Sequence, residues 1–245
     1  MLKITPYGAM TGVGILLGSS VFDINLKIMI ILIASALIQS QLCSHCNRSF
    51  NMVSFLAIFP LLTILFNNCK ESYKIILGFS IIAGISRLGC YFAGCCTGKE
   101  TDKNNFSIKY EGEYRVNKML NKSRIYVQPT VFLEIFLQLL FVLIIIKANR
   151  PFILFGLLNA VLVLSSDFWR LGQRAKNKKI LPLSVMSLTL FALIAKLKCS
   201  GFVKPNITLY TSIYKVIFTL IIVLIVSNDI TVSSLNLQNT STFTY

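Results

Sequence analysis

Ile75-Ile76-Leu77-Gly78-Phe79-Ser80-Ile81-Ile82-Ala83-Gly84-Ile85-Ser86-Arg87-Leu88-Gly89-Cys90-Tyr91-Phe92-Ala93 is a run of nineteen residues with one charge, Arg87, in its last third. The hydrocarbon core of a bilayer, about 30 Å thick, takes about 20 mostly apolar residues to cross as a helix. Lipid also requires every backbone N–H and C=O to be satisfied inside the segment, which a helix achieves. The run therefore reads as a membrane helix. Similar runs lie before it, at Tyr7–Phe22, Leu26–Leu42 and Phe50–Phe66, and after it, at Val131–Ile146, Pro151–Leu164, Ile180–Ala195 and Leu209–Val226. The expected fold is all-α, a polytopic membrane bundle of roughly seven or eight transmembrane helices. Most connections are short; the long polar loop is Gly94–Gln128.

Composition agrees. Of 245 residues, 55% are hydrophobic and 13% charged, with a mean hydropathy of +0.71. A soluble domain carries about 25% charged residues. Spans and short loops consume the length, so one membrane domain over 1–227 and a polar tail over 228–245 are expected. The formal net charge is +15. The basic residues lie between apolar runs, not in a domain of their own, so they suit membrane lipids with anionic headgroups and not nucleic acid. Met1-Leu2-Lys3 opens no signal-peptide pattern, and the first run is expected to stay as a span. Its Gly8, Gly12, Gly14 and Gly18 suit close packing inside the bundle.

Seven cysteines and one histidine, His45, are present. Cys43-x-x-Cys46 and the adjacent Cys95-Cys96 lack a second pair at knuckle spacing, so structural zinc is not expected.

Three places offer chemistry. Arg87 lies at bilayer depth, where an arginine costs about 2.5 kcal/mol or more and usually faces a cavity, a partner or a ligand. Snorkelling to the headgroups is the alternative. The glycines that follow, Gly89, Gly94 and Gly98, suggest a helix ending in an unusual turn, whose N–H groups beside an arginine would suit a phosphate. Glu134 sits one turn into the Val131–Ile146 run, where it either complements the helix dipole or orients a cation such as Arg87. Asp167 and Arg170 stand three apart beside Trp169, as an interfacial ion pair or a headgroup contact.

The stretch Ser86–Asp102 resembles the signature of bacterial prolipoprotein diacylglyceryl transferases, R-[IL]-G-C-F-x-x-G-C-C-Y-G in its cysteine-rich form. Three further stretches agree in order. Tyr7-Gly8-Ala9-Met10 resembles Y-G-[LI]-M, Gln128–Glu134 resembles H-P-[ST]-Q-L-Y-E, and Asp167-Phe168-Trp169-Arg170 resembles E-F-[FL]-R. The resemblance implies a multi-pass protein of the cell (inner) membrane. Such a protein moves a diacylglyceryl group from phosphatidylglycerol to the lipobox cysteine of a prolipoprotein, with no metal and no cofactor. By similarity, Arg87 would hold the phosphate; Tyr7, Cys90 and Gly98 would line the same site; Glu134 and Arg170 would be polar groups beside it. No general base is assigned.

The sequence also departs from the family pattern. It has no H-G-G motif, Gln128 stands where the family has histidine, and Asn159 and Val163 stand where a Y-G-x-x-R motif has tyrosine and arginine. The alternatives are therefore a phospholipid-binding protein of the same fold that does not transfer, and a membrane thiol–disulfide protein using Cys43, Cys46, Cys95 and Cys96. Orientation is also contested. Gly94–Gln128 and the basic Trp169–Lys179 fall on one side; charge bias puts that side in the cytoplasm, whereas the resemblance puts it outside.

Overall fold

The computed structural model describes residues 4–25, 27–28, 30–31, 52–94, 96–169, 180–201, 203, 213–224 and 227. The elements, in order, are α1 (Pro6–Val21), α2 (Met52–Phe66), α3 (Cys69–Ala93), β1 (Ile108–Glu111), α4 (Arg115–Leu120), β2 (Arg124–Val127), α5 (Thr130–Lys147), α6 (Pro151–Trp169), α7 (Ile180–Lys198) and α8 (Ile213–Leu224). The expected span Leu26–Leu42 lies mostly outside the described residues, as do Cys43, His45, Cys46, Cys95, Arg170 and nearly all of the tail.

The chain is mostly helical, and among the described residues α3 and α5 are long and apolar enough to cross a membrane. Local chemistry sets their ends. Thr5 accepts from the Gly8 N–H and Pro6 opens α1, where its missing N–H costs nothing. Asn68 accepts from the Glu71 N–H at 2.8 Å. That cap starts α3 six residues before the apolar run, adding a polar turn with Lys70, Glu71 and Lys74. Gly94 ends α3 in the left-handed region at φ 59°, and its N–H returns to Cys90 O and Tyr91 O.

α3 is the centre of the bundle and packs against α1, α2, α5 and α6. Helices α1 and α3 run antiparallel and meet where they lack side chains: a Cβ on Gly18 would fall 2.7 Å from Gly78 O. Gly12 and Gly14 likewise face Val223 and Ile82, the close-packing role expected of them. Phe59, Phe79, Phe155 and Phe191 form an aromatic chain through the interior, with Phe155 and Phe191 centroids 5.6 Å apart. Large apolar side chains cover the outside instead, including Phe136, Leu139 and Leu143 on α5 and Leu157 and Val161 on α6.

The bundle has two distinct ends. The loop end gathers the start of α1, the end of α3 and the start of α5. At the far end, a disulfide joins Cys69 to Cys199, and Lys198 Nζ donates to the carbonyls of Ile64, Leu65 and Asn67. Lys215 is fully buried there, donating to Ser19 O at 3.1 Å and Asp23 Oδ1 at 3.2 Å. Neither the disulfide nor the buried lysine was legible from the motifs.

The Gly94–Gln128 connection, expected as a long polar loop, carries a small hairpin of its own. Strands β1 and β2 pair antiparallel, Ile108 opposite Val127 and Glu111 opposite Arg124, with α4 between them in sequence. Tyr110, Val116, Ile125 and Val127 form a second small core. Tyr91, from the end of α3, packs against it and accepts at its carbonyl from the Tyr110 hydroxyl at 3.1 Å. The strands are only four residues each, too short for alternation to announce them.

Candidate functional site

Arg87 faces inward from α3, three residues after Gly84. Helix α5 crosses α3 at Gly84, where a Cβ would make ordinary contact with Gln138 Cβ at 3.4 Å. This antiparallel crossing brings Glu134 opposite Arg87. Arg87 Nε donates to Glu134 Oε2 at 2.8 Å, and the two side chains are 9% and 2% exposed. Arg87 therefore does not snorkel to water. Its cost at this depth is met by a carboxylate that is itself held in the first turns of α5. A guanidinium has five N–H donors, more than one carboxylate takes up.

Other residues close around this pair. Cys90, one turn along α3, is a buried thiol outside any disulfide, with Sγ 4.0 Å from Arg87 Nη1. Tyr7 is buried at the start of α1, with its Cα where a Gly89 side chain would be; a Cβ on Gly89 would come within 2.6 Å of it. Gly98 lies where the loop folds back over the start of α5, and a Cβ there would fall 2.4 Å from Gln128 O. Glycine is thus required at 98 by close backbone approach, and Gln128 N–H donates to Lys99 O at 2.9 Å in the same turn.

The structure thus brings together Arg87, Glu134, Cys90 and Tyr7, with Gly98 beneath Gln128 at the edge. Arg170 lies outside the described residues, and so does the side chain of Asp167. No group of three or more metal-ligating side chains occurs among the described residues.

Motif reading missed Gln138, below the ion pair, and named Asn159 only as a departure from the family pattern. Thr130, Glu134 and Gln138 recur every fourth residue on α5, and all three are buried. Gln138 Nε2 donates to Asn159 Oδ1 on α6 at 3.1 Å. Asn159 Nδ2 donates to Phe155 O at 3.0 Å. The i,i+4 spacing was the available signal; that it faces inward is a property of packing.

A family model described as prolipoprotein diacylglyceryl transferase matches residues 67–198, a stretch that holds Arg87, Cys90, Gly98, Gln138, Asn159 and Glu134 but not Tyr7. No curated protein and no solved structure matches the chain.

Proposed function

Because the chain belongs to the prolipoprotein diacylglyceryl transferase family, we propose that it takes a diacylglyceryl group from phosphatidylglycerol and transfers it to the lipobox cysteine thiol of a prolipoprotein. The lipobox sulfur, deprotonated, attacks the glyceryl carbon that bears the phosphate. The carbon–oxygen bond breaks, glycerol phosphate leaves with the bonding electrons, and a thioether remains. The thiol proton passes to a base.

The observation that carries this reading is the buried Arg87–Glu134 pair at 2.8 Å. Negative charge is to be neutralised on the departing phosphate, and a guanidinium in a water-poor site does this far better than one in water. Glu134 keeps the guanidinium in place and holds its charge at depth. Tyr7, Cys90, Gly98 and Arg170 complete the proposed phosphatidylglycerol site. The protein is read as a multi-pass protein of the inner membrane. Its membrane domain is 1–227, with seven or eight spans, and 228–245 is its tail. The large apolar side chains exposed on the outer faces of α5 and α6, such as Phe136, Leu143 and Leu157, support a lipid surround.

The test is transfer by purified protein in phosphatidylglycerol vesicles to a lipobox peptide, with the thioether product read by mass spectrometry. Arg87→Ala is expected to lower transfer by about 10²–10³-fold, the usual loss for one electrostatic donor. Undiminished transfer by that variant overturns the assignment. Gln128, Asn159 and Val163, which replace the histidine, tyrosine and arginine of the family pattern, favour a second reading: a protein that binds the lipid without transferring it. Retained binding with no thioether is its signature.

A further inference from the structure

Among the described residues, Asn117 Oδ1, Thr130 Oγ1 and Gln138 Oε1 are buried without a hydrogen-bond partner, and the orientation of the Gln138 amide is dictated by its neighbours. Asn159 Nδ2 donates to Phe155 O, a carbonyl that only accepts. Asn159 must then present Oδ1 to Gln138, and Gln138 must answer with Nε2. Gln138 Oε1 is left over. It is fully enclosed and has no hydrogen-bond partner among the described residues, on a side chain only 3% exposed. Burying such an atom unpaired costs about 1–3 kcal/mol, and in native structures such an atom calls for a ligand, a water or a function.

Its position says what would pair with it. Gln138 is four residues beyond Glu134, about 6 Å further along α5, and it packs on Gly84, one turn before Arg87 on α3. The cation–carboxylate layer and the amide layer are therefore stacked on the same helix–helix seam. A ligand whose anionic group engages Arg87, and whose neighbouring atoms run along this seam toward the far end, would pass Gln138. Because Oε1 can only accept, those atoms must include a hydrogen-bond donor. Ester carbonyls and phosphate oxygens do not qualify. A hydroxyl does, and a three-carbon alcohol esterified to phosphate covers the interval with bonds of about 1.5 Å each.

We propose that Gln138, held by Asn159, is the specificity-determining residue that accepts a hydrogen bond from a headgroup hydroxyl of the lipid donor. The site would thus select a polyol phospholipid over an equally charged one lacking hydroxyls. The proposal rests on the phosphatidylglycerol reading above and names how its headgroup is told apart.

The experiment compares phosphatidylglycerol with phosphatidylpropanol, which has the same charge and chain length but no headgroup hydroxyl, in both transfer to the lipobox peptide and binding in vesicles. Wild type is expected to favour phosphatidylglycerol by at least about tenfold in kcat/KM, one hydrogen bond's worth, with a larger ratio where the acceptor is left unpaired. Gln138→Met, which keeps the length and removes the acceptor, should bring the ratio within about threefold by lowering only the phosphatidylglycerol value. Asn159→Leu, which frees Gln138 to rotate, should narrow the ratio without abolishing transfer. Indifference of the wild type to the hydroxyls overturns the proposal and leaves a water as the partner of Gln138. A ratio unchanged in folded Gln138→Met overturns it too. If wild type transfers from neither lipid, the transferase reading fails, and the binding ratio still decides the role of Gln138.

Discussion

At the scale of the residue, the molecule turns on one ion pair between helices. Arg87 and Glu134 are mutually indispensable because each would be an uncompensated charge without the other. Removing one partner of a buried pair typically costs about 3–5 kcal/mol, whereas replacing both by apolar groups of similar size is often neutral. Glu134→Ala is therefore expected to destabilise the protein by about that amount, and Arg87→Met with Glu134→Leu by much less; thermal unfolding in detergent measures both. The double variant should nonetheless be inactive, which separates the structural use of the pair from its use on phosphate. A second residue-scale expectation concerns Gly98, where a methyl group would meet Gln128 O at 2.4 Å. Because the obstacle is backbone, Gly98→Ala should cost about 1–3 kcal/mol and loosen the loop's attachment to α5, seen as faster proteolysis between 99 and 127.

At the scale of the element, the β1–β2 hairpin shows how a polar connection becomes structure. Glu111 makes ion pairs with Lys109 on its own strand and with Arg124 across the ladder, the latter at 2.6 Å. The hydrogen bond from Lys109, then that from Arg124, hold its carboxyl down at about 2. A carboxylate lowered in the folded state contributes stability above its unfolded pKa, and that contribution is lost as pH falls towards 2. The hairpin's amide protection in hydrogen exchange should therefore weaken between about pH 4.5 and pH 2 and be insensitive to pH above that window. The change should be small, because exposed pairs contribute little. Glu111→Gln should erase the pH dependence. Element boundaries were legible to different degrees. The apolar runs at Pro151 and Ile180 begin where their helices begin. Helix α3 starts earlier than its run because Asn68 caps it and its polar first turn finds partners: Lys74 reaches Asp23 at 3.6 Å, and Asn25 donates to Glu71 at 3.2 Å.

At the scale of the whole molecule, the two ends of the bundle make opposed demands. The Cys69–Cys199 disulfide ties the start of α3 to the end of α7, and a disulfide is typically worth about 2–4 kcal/mol. Cys69→Ser with Cys199→Ser should lose about that much, and reductant should bring the parent chain to the same value. Disulfides persist where the surroundings are oxidising, which favours placing the far end outside. The basic loops at the other end favour the cytoplasm for themselves. The transferase reading needs the opposite, with the site open to the outer leaflet. Phe106, 82% exposed at the loop end, offers the test. The transferase reading expects Phe106→Cys to react with an impermeant maleimide added to intact cells, above the parent's background. Protection from the reagent would put the loop end inside and remove the outer-leaflet reaction from this site.

The amino-acid sequence by itself determined that the chain folds as apolar helices, since long uncharged runs have few other ways to satisfy their backbones. It also marked Arg87 and Glu134, because ionised groups in such runs are costly enough to stand out. What only the tertiary structure decided is who faces whom. That Glu134 meets Arg87 depends on α3 and α5 crossing antiparallel over Gly84, and that Gln138 is left with an unanswered oxygen depends on Asn159 being committed to Phe155 O. The Arg87–Glu134 and Gln138–Asn159 pairings join residues more than twenty positions apart, so local pattern can suggest them but not settle them. The same is true of Cys69 and Cys199, 130 residues apart in the chain and joined only because the start of α3 lies beside the end of α7.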